Sequence, residues 1–453
     1  MSESDRPFKA AGNSRPRRMF CTFVTVFLLL IVRSAAQDDP VTIENFDGQQ
    51  RLSDRWAALG KIQVRRVDVP DGTSHPGVHG RMVTATAEAN GKLAVRPDFP
   101  RPAWSTAKRI QLRLRAADVS ADEPLVVEFQ VFSSQRRAWF WRKITLDSSD
   151  WETVELPLRY FRQSPGAVLD WHEPHRFAIH FRNAGTLSVD NIELVPGKGP
   201  HPAWLSADEL AGIAFGQEAE QFRSKHFVVV TNEPQLDGAA VLAAFEKLYG
   251  MLKRDFPDMP ALRRKVVCLI FADRIRFQTF WRDLGLRFNS AVPVVKTGGY
   301  SIFGIAGSSF DDSFGPVRPV YVQEACHALL GQTLGVSNQS EWLHEGLANY
   351  YQLQWSGQDI HELTRVMVEK KRHIPLSKCL NGRSIGTQNY AQATLFVKYL
   401  LTDRRRQFWS AITAMKRRSS TALAPLAKEY FSQSLDDLET AWLAWATNQL
   451  EGQ

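Results

Sequence analysis

The chain changes its hydrophobic rhythm near residue 200. Over 41–197, apolar and polar positions alternate in short stretches such as Arg109-Ile110-Gln111-Leu112-Arg113-Leu114 and Leu125-Val126-Val127-Glu128-Phe129-Gln130-Val131. A period of two sends successive side chains to opposite faces of a strand. Asp71-Gly72, Asn90-Gly91 and Ser148-Ser149-Asp150 punctuate these runs as turns. Several short strands at this spacing predict an all-β jelly-roll sandwich. Val195-Pro196-Gly197 leads into 198–204, which reads as a linker.

Over 205–453 the pattern is different. Phe227–Thr231 and Lys265–Phe271 are largely apolar runs of the buried-strand kind, and Ala239–Leu252 and Arg274–Leu284 follow helical spacing. Gly298-Gly299-Tyr300-Ser301 breaks the pattern before another strand-like stretch. Past Tyr321 the spacing predicts helices over 321–333, 341–354, 359–371, 390–401, 404–416 and 434–448. The predicted fold class is two domains: an all-β jelly-roll sandwich, then an α+β part that becomes mainly helical. A length of 453 residues gives each domain its own core.

The first 36 residues read as a signal peptide. Arg15-Pro16-Arg17-Arg18 precedes the apolar run Met19–Val32, and Ser34-Ala35-Ala36 supplies small residues for cleavage. The run falls short of the roughly 20 residues that span a bilayer, so membrane attachment is expected only if the segment stays uncleaved. Secretion, or residence in a periplasm or at a cell surface, follows. This segment also explains half of the +8 net charge, since it holds six cations and two acids. The remainder is too mildly basic for nucleic acid to be a partner. Three cysteines lie beyond it, Cys268, Cys326 and Cys379, too few for a disulfide framework. Cys268 sits in an apolar run and reads as core, while a Cys326–Cys379 bridge stays open.

The helix predicted at 321–333 carries Gln323-Glu324-Ala325-Cys326-His327. Two histidines four apart share a helix face and hold zinc, with an intervening glutamate as general base. Here Glu324 and His327 stand in place, but the first ligand position holds Gln323. A neutral amide oxygen suits zinc poorly. Fourteen residues intervene before Trp342-Leu343-His344-Glu345-Gly346-Leu347-Ala348-Asn349-Tyr350, which places Glu345 on a second helix as a further ligand. Cys326 and His344 point well around their helices from the ligand positions. His361 and His373 are the remaining substitutes.

At these residues the chain resembles the gluzincin metallopeptidases, within a group of secreted bacterial proteins with a peptidase-like C-terminal domain. The resemblance covers roughly 220–450. It implies that Glu324 is the general base and that His327 and Glu345 are zinc ligands, with Gln323 in the place of the missing one. For Tyr390 it offers an oxyanion donor, with a packed structural tyrosine as the other reading. Glu341 reads only as a helix-start residue. The expected function is an exported, peptidase-like protein that is catalytically impaired or inactive and binds peptide, protein or glycan. The alternative is an active zinc peptidase with an atypical ligand set.

In the first domain, Trp139 and Trp141 are two apart and share one strand face. The expectation is that they fill the sandwich core; a flat platform for sugar rings is the alternative. Trp151, Phe177-Ala178-Ile179-His180-Phe181 and Val189-Asp190-Asn191-Ile192 continue the series. Over 41–197 the chain resembles galactose-binding-type jelly rolls, which include carbohydrate-binding modules and the complex I intermediate-associated protein domain. That resemblance implies a glycan or protein partner. It also implies a structural calcium, for which Glu44, Asp47 and Asp190 are the candidate ligands.

Overall fold

A computed structural model describes residues 40–451, apart from 48–55, 96–103, 134–138, 164–173, 198–204, 335–339, 381–383, 419–421 and several single positions. The predicted signal segment 1–36 and linker 198–204 lie outside the described residues. Among the described residues, no helix is long and apolar enough to cross a membrane.

The first half is the predicted sandwich. Its strands are β1 (Val41–Glu44), β2 (Trp56–Leu59), β3 (Ile62–Asp68), β4 (Arg81–Ala87), β5 (Lys92–Val95), β6 (Ala107–Ala117), β7 (Leu125–Ser133), β8 (Trp139–Leu146), β9 (Glu152–Pro157), β10 (Arg162–Gln163), β11 (Pro174–Phe181) and β12 (Gly185–Pro196). One antiparallel sheet runs β3-β4-β12-β6-β9, with β1 also on β12; the other runs β10-β8-β7-β11-β5-β2. Alternate residues meet between them: Ile110, Leu112 and Leu114 of β6 share a core with Val127, Phe129 and Val131 of β7 and Phe177, Ile179 and Phe181 of β11. Full burial of each such side chain contributes about 1.5–3 kcal/mol.

The second half opens with α1 (Ala207–Phe215), started by a capping box between Ser206 and Glu209. There follow β13 (Glu220–Arg223), β14 (Phe227–Thr231), α2 (Gly238–Asp255), β15 (Val266–Phe271), α3 (Arg274–Arg287), β16 (Gly299–Ile302) and β17 (Ile305–Ser309). The sheet order is β13-β14-β15-β17-β16. Its three central strands are parallel, and the two edge strands are antiparallel to their neighbours. Both faces of the central strands are covered, which accounts for their unbroken apolar runs. Val228, Val230 and Leu269 pack toward Leu210 of α1 and Phe277 and Trp281 of α3. Val229, Cys268 and Ile270 pack toward α2 and the helices that follow.

Those helices are α4 (Pro319–Thr333), α5 (Glu341–Ser356), α6 (His361–Val368), α7 (Tyr390–Asp403), α8 (Arg405–Arg418) and α9 (Leu435–Glu451). The halves touch through named contacts. The Arg142 guanidinium donates to the carbonyls of Tyr160 at 3.1 Å and Arg287 at 3.0 Å, and the Asn289 amide donates to the Lys143 carbonyl at 2.8 Å. The rings of Tyr160 and Phe288 meet edge to face at 5.6 Å.

Candidate functional site

Helices α4 and α5 bring the four motif residues together. Pro319 at the first turn sets the start of α4, where its missing N–H goes unneeded. Gln323 and His327 then fall one turn apart, facing α5. Gly346, next to Glu345, lets α5 approach α7 closely: a β-carbon there would lie 2.8 Å from the Ala393 carbonyl oxygen. Across the crossing, His327 Nε2 lies 3.5 Å from Glu345 Oε1, and the Gln323 side-chain nitrogen lies 3.5 Å from Glu345 Oε2. Glu324 stands beside them on the next side of the helix, against edge strand β16, still within reach of the His327 and Glu345 charges. A β-carbon on Gly299 would sit 2.5 Å from Glu324 Cγ.

Burial governs the electrostatics. Glu324 is 8% exposed, and its carboxyl is pushed up to about 7, chiefly by desolvation, with the Glu345 charge adding and His327 opposing. Burial alone disfavours a charged His327, yet its hydrogen bond to Glu345 and the charges of Glu345 and Glu324 outweigh this and raise its pKa. The pocket therefore pairs a favoured imidazolium with one carboxylate, and keeps a second carboxyl poised near neutrality.

Tyr390 lies beside this cluster, close enough for the Glu345 and Glu324 charges to act on it. Its hydroxyl donates to Glu341 Oε1 at 2.9 Å, and burial together with nearby carboxylates pushes its pKa up. Glu341 is thus more than a helix-start residue: its other oxygen also accepts the backbone N–H of Ile385. His373 is no substitute ligand, since it lies 3.9 Å from Glu439 and edge-on to Trp442. The side chain of His361 lies outside the described residues. His344 is buried, with its ring 6.0 Å from that of His327. Cys326 is wholly buried in the core, and no bridge joins Cys326 to Cys379, as both are free thiols.

The donor set falls short of a zinc site. Two tetrahedral zinc ligands lie roughly 3.3 Å apart, so the His327–Glu345 spacing suits a shared ion. Gln323 turns its N–H₂ group, a donor without a lone pair, toward the shared space. Among the described residues, no group of three His, Cys, Asp or Glu side chains is placed to hold a metal. The set is one strong donor short, and zinc does not fit it well. The calcium candidates are engaged differently. Glu44 accepts from the Phe46 N–H and the Trp56 indole, Asp47 from the Arg81 N–H, and Asp190 from the His79 N–H. Asp190 is pushed up to about 6, first by burial and further by Asp47. These carboxylates act as acceptors that tie the backbone at Phe46, His79 and Arg81 in place.

A second cluster lies on the sandwich. Trp139 and Trp141 do not fill the core, contrary to expectation: Phe140, Ile144 and Leu146 of β8 do. The two indoles stand on the opposite face, which they share with Phe132, Gln130 and Glu128 of β7 and Arg176 and His180 of β11. Phe132 lies 6.3 Å from Trp139. The Arg162 guanidinium stacks 4.3 Å over Trp141, and that of Arg176 4.6 Å over Phe132. Glu128 is buried, and its pKa is lowered despite burial because His180, Gln130 and Arg182 favour its charge. None of this polar group was read from the sequence. The signal available was a Glu and a Gln at alternate positions of an otherwise apolar strand.

No family model matches the chain. No curated protein matches it either. Among solved structures, the sandwich is similar to a family 11 carbohydrate-binding module of Clostridium thermocellum in complex with a β-1,3-1,4-mixed-linked tetrasaccharide, at 19% identity, covering 35% of this chain and 96% of that one, with a TM-score of 0.28. A CBM22 xylan-binding domain from Paenibacillus barcinonensis matches at 12% identity over 37% of this chain and 99% of that one, with a TM-score of 0.25. At these values the likeness identifies neither a ligand nor binding residues.

Proposed function

We propose that this is an exported glycan-binding protein. Its sandwich takes sugar on the outer face of β8, β7 and β11, and its peptidase-like half binds a peptide beside β16 without zinc-dependent cleavage. The observation that carries the first part is the outward placement of Trp139 and Trp141 with Phe132 beside them. Aromatic rings held on a stiff sheet offer flat apolar surface to the faces of sugar rings, and neighbouring Gln130 and Arg side chains supply hydrogen bonds. Affinity electrophoresis of the full chain through gels containing soluble polysaccharides tests it. Retardation lost in Trp141→Ala is the expected result; migration unaffected by every polysaccharide would overturn it.

The second part rests on Gln323. With an amide in place of a ligand, the His327–Glu345 pair is balanced without an ion, and Glu324 lacks a metal-bound water to activate. A peptide can pair with edge strand β16, whose outer backbone groups face away from β17. The competing reading, an active zinc peptidase, draws on the His327–Glu345 spacing. Metal analysis separates the two: one equivalent of zinc in the purified protein, lost in Glu345→Ala, would establish the peptidase reading.

A further inference from the structure

The sandwich face carries charge that a neutral glycan would leave unused. Its rows can be read across the strands. Arg162, Trp141, Gln130 and Ala178 form one; Trp139, Phe132 and Arg176 the next; Lys143, Glu128, His180 and Lys92 a third. The cations Arg162, Arg176, Lys143 and Lys92 thus surround the aromatic strip. Among the described residues of this face, Glu128 is the single carboxylate, and it is already engaged by His180, by the Gln130 amide and by the Arg182 guanidinium.

We propose that the ligand is an acidic, carboxylate-bearing polysaccharide, held with its rings on Trp141 and Trp139 and its carboxylates on Arg162 and Arg176. This rests on the glycan-binding reading above and narrows it. A guanidinium lying over an aromatic ring engages that ring through its charge and keeps N–H donors at its edge, two of which can grip a carboxylate with parallel bonds. The stacking also holds each guanidinium in place before the ligand arrives, so less freedom is lost on binding. Arg162 on β10 and Arg176 on β11 are three inter-strand steps apart, roughly 14 Å at the usual strand spacing. The two therefore engage separate units of a chain that lies across the strands. Among the described residues neither guanidinium forms an ion pair, and Glu128 acts on Arg162 only through its charge.

The test compares carboxymethylcellulose with hydroxyethylcellulose, which share a backbone and differ in charge, using affinity electrophoresis of the full chain. Polygalacturonate and dextran sulfate run beside them to separate carboxylate from sulfate. Binding to carboxymethylcellulose is expected to be at least roughly tenfold tighter, and to weaken as salt rises. Arg162→Gln with Arg176→Gln should bring the two celluloses level, while Trp141→Ala should weaken both. Equal binding of both celluloses by the native protein would overturn the acidic-ligand inference and leave the glycan reading intact. No retention on any of the polysaccharides would overturn both. Equal retention on dextran sulfate and carboxymethylcellulose that Trp141→Ala leaves unchanged would reveal a merely basic surface and overturn the inference. The salt dependence needs no variant, so a misfolded mutant does not end the test.

Discussion

Gly299 and Glu324 meet with no room for a side chain between them. A β-carbon on Gly299 would come within 2.5 Å of Glu324 Cγ and 2.7 Å of Val320 Cγ2. The glycine on edge strand β16 is what lets the carboxyl-bearing turn of α4 lie against the sheet. Gly299→Ala is expected to destabilise the protein by about 1–3 kcal/mol, as other forced overpacking does. Urea unfolding measures it. The double variant with Glu324→Ala should recover part of the loss, and strictly additive losses would contradict the contact.

Glu324 should make stability depend on pH. Its carboxyl titrates near 4.5 unfolded and at about 7 when buried. A folded acid with a raised pKa favours its neutral form, so the native state is least penalised below pH 4.5. That advantage disappears as pH rises to about 7, by about 3 kcal/mol. In chelator-treated protein, stability should therefore fall over this range, and His327 adds to the fall because its raised pKa favours its charged form. Glu324→Gln should flatten the slope. An unchanged slope in that variant would assign the titration elsewhere.

Tyr390 is expected to act through Glu341. Tyr390→Phe removes the hydrogen bond at 2.9 Å and leaves Glu341 with its Ile385 N–H partner. A loss of about 1 kcal/mol in thermal or denaturant unfolding should result. The affinity of any peptide bound at the α4–α5 crossing should not change. A large drop in that affinity with unaltered stability would restore Tyr390 to the pocket.

Gln323→His completes two imidazoles one turn apart on α4, opposite Glu345. Isothermal titration with zinc should give one tight site in this variant and a much weaker one in the native chain. Equal affinity in both would show that Gln323 does not limit metal binding.

Long periodic helices were legible in the sequence. The stretch predicted over 390–401 forms Tyr390–Asp403, and that over 404–416 forms Arg405–Arg418. Short or polar elements were not. Helix α1 has only nine residues, and edge strand β13 reads Glu-Gln-Phe-Arg, with little apolar alternation. Trp139 and Trp141 show a different limit. Their spacing places them on one face, but Phe140 between them is apolar as well, so local parity does not say which face is inner. Ile144 and Leu146, in phase with Phe140, carried that information further along the strand. The role of Glu341 was beyond reach, because its partner Tyr390 lies 49 residues away. The convergence of Gln323, Glu324, His327 and Glu345 was legible because helix spacing and a second motif both pointed to it.

The three thiols have a consequence for biogenesis. Cys268, Cys326 and Cys379 are buried and free, and burial pushes each thiol pKa up, further disfavouring the thiolate that exchange requires. The described fold is therefore completed without oxidative pairing. Refolding from urea should reach the same native state with or without reductant, and an oxidising compartment adds nothing to its assembly.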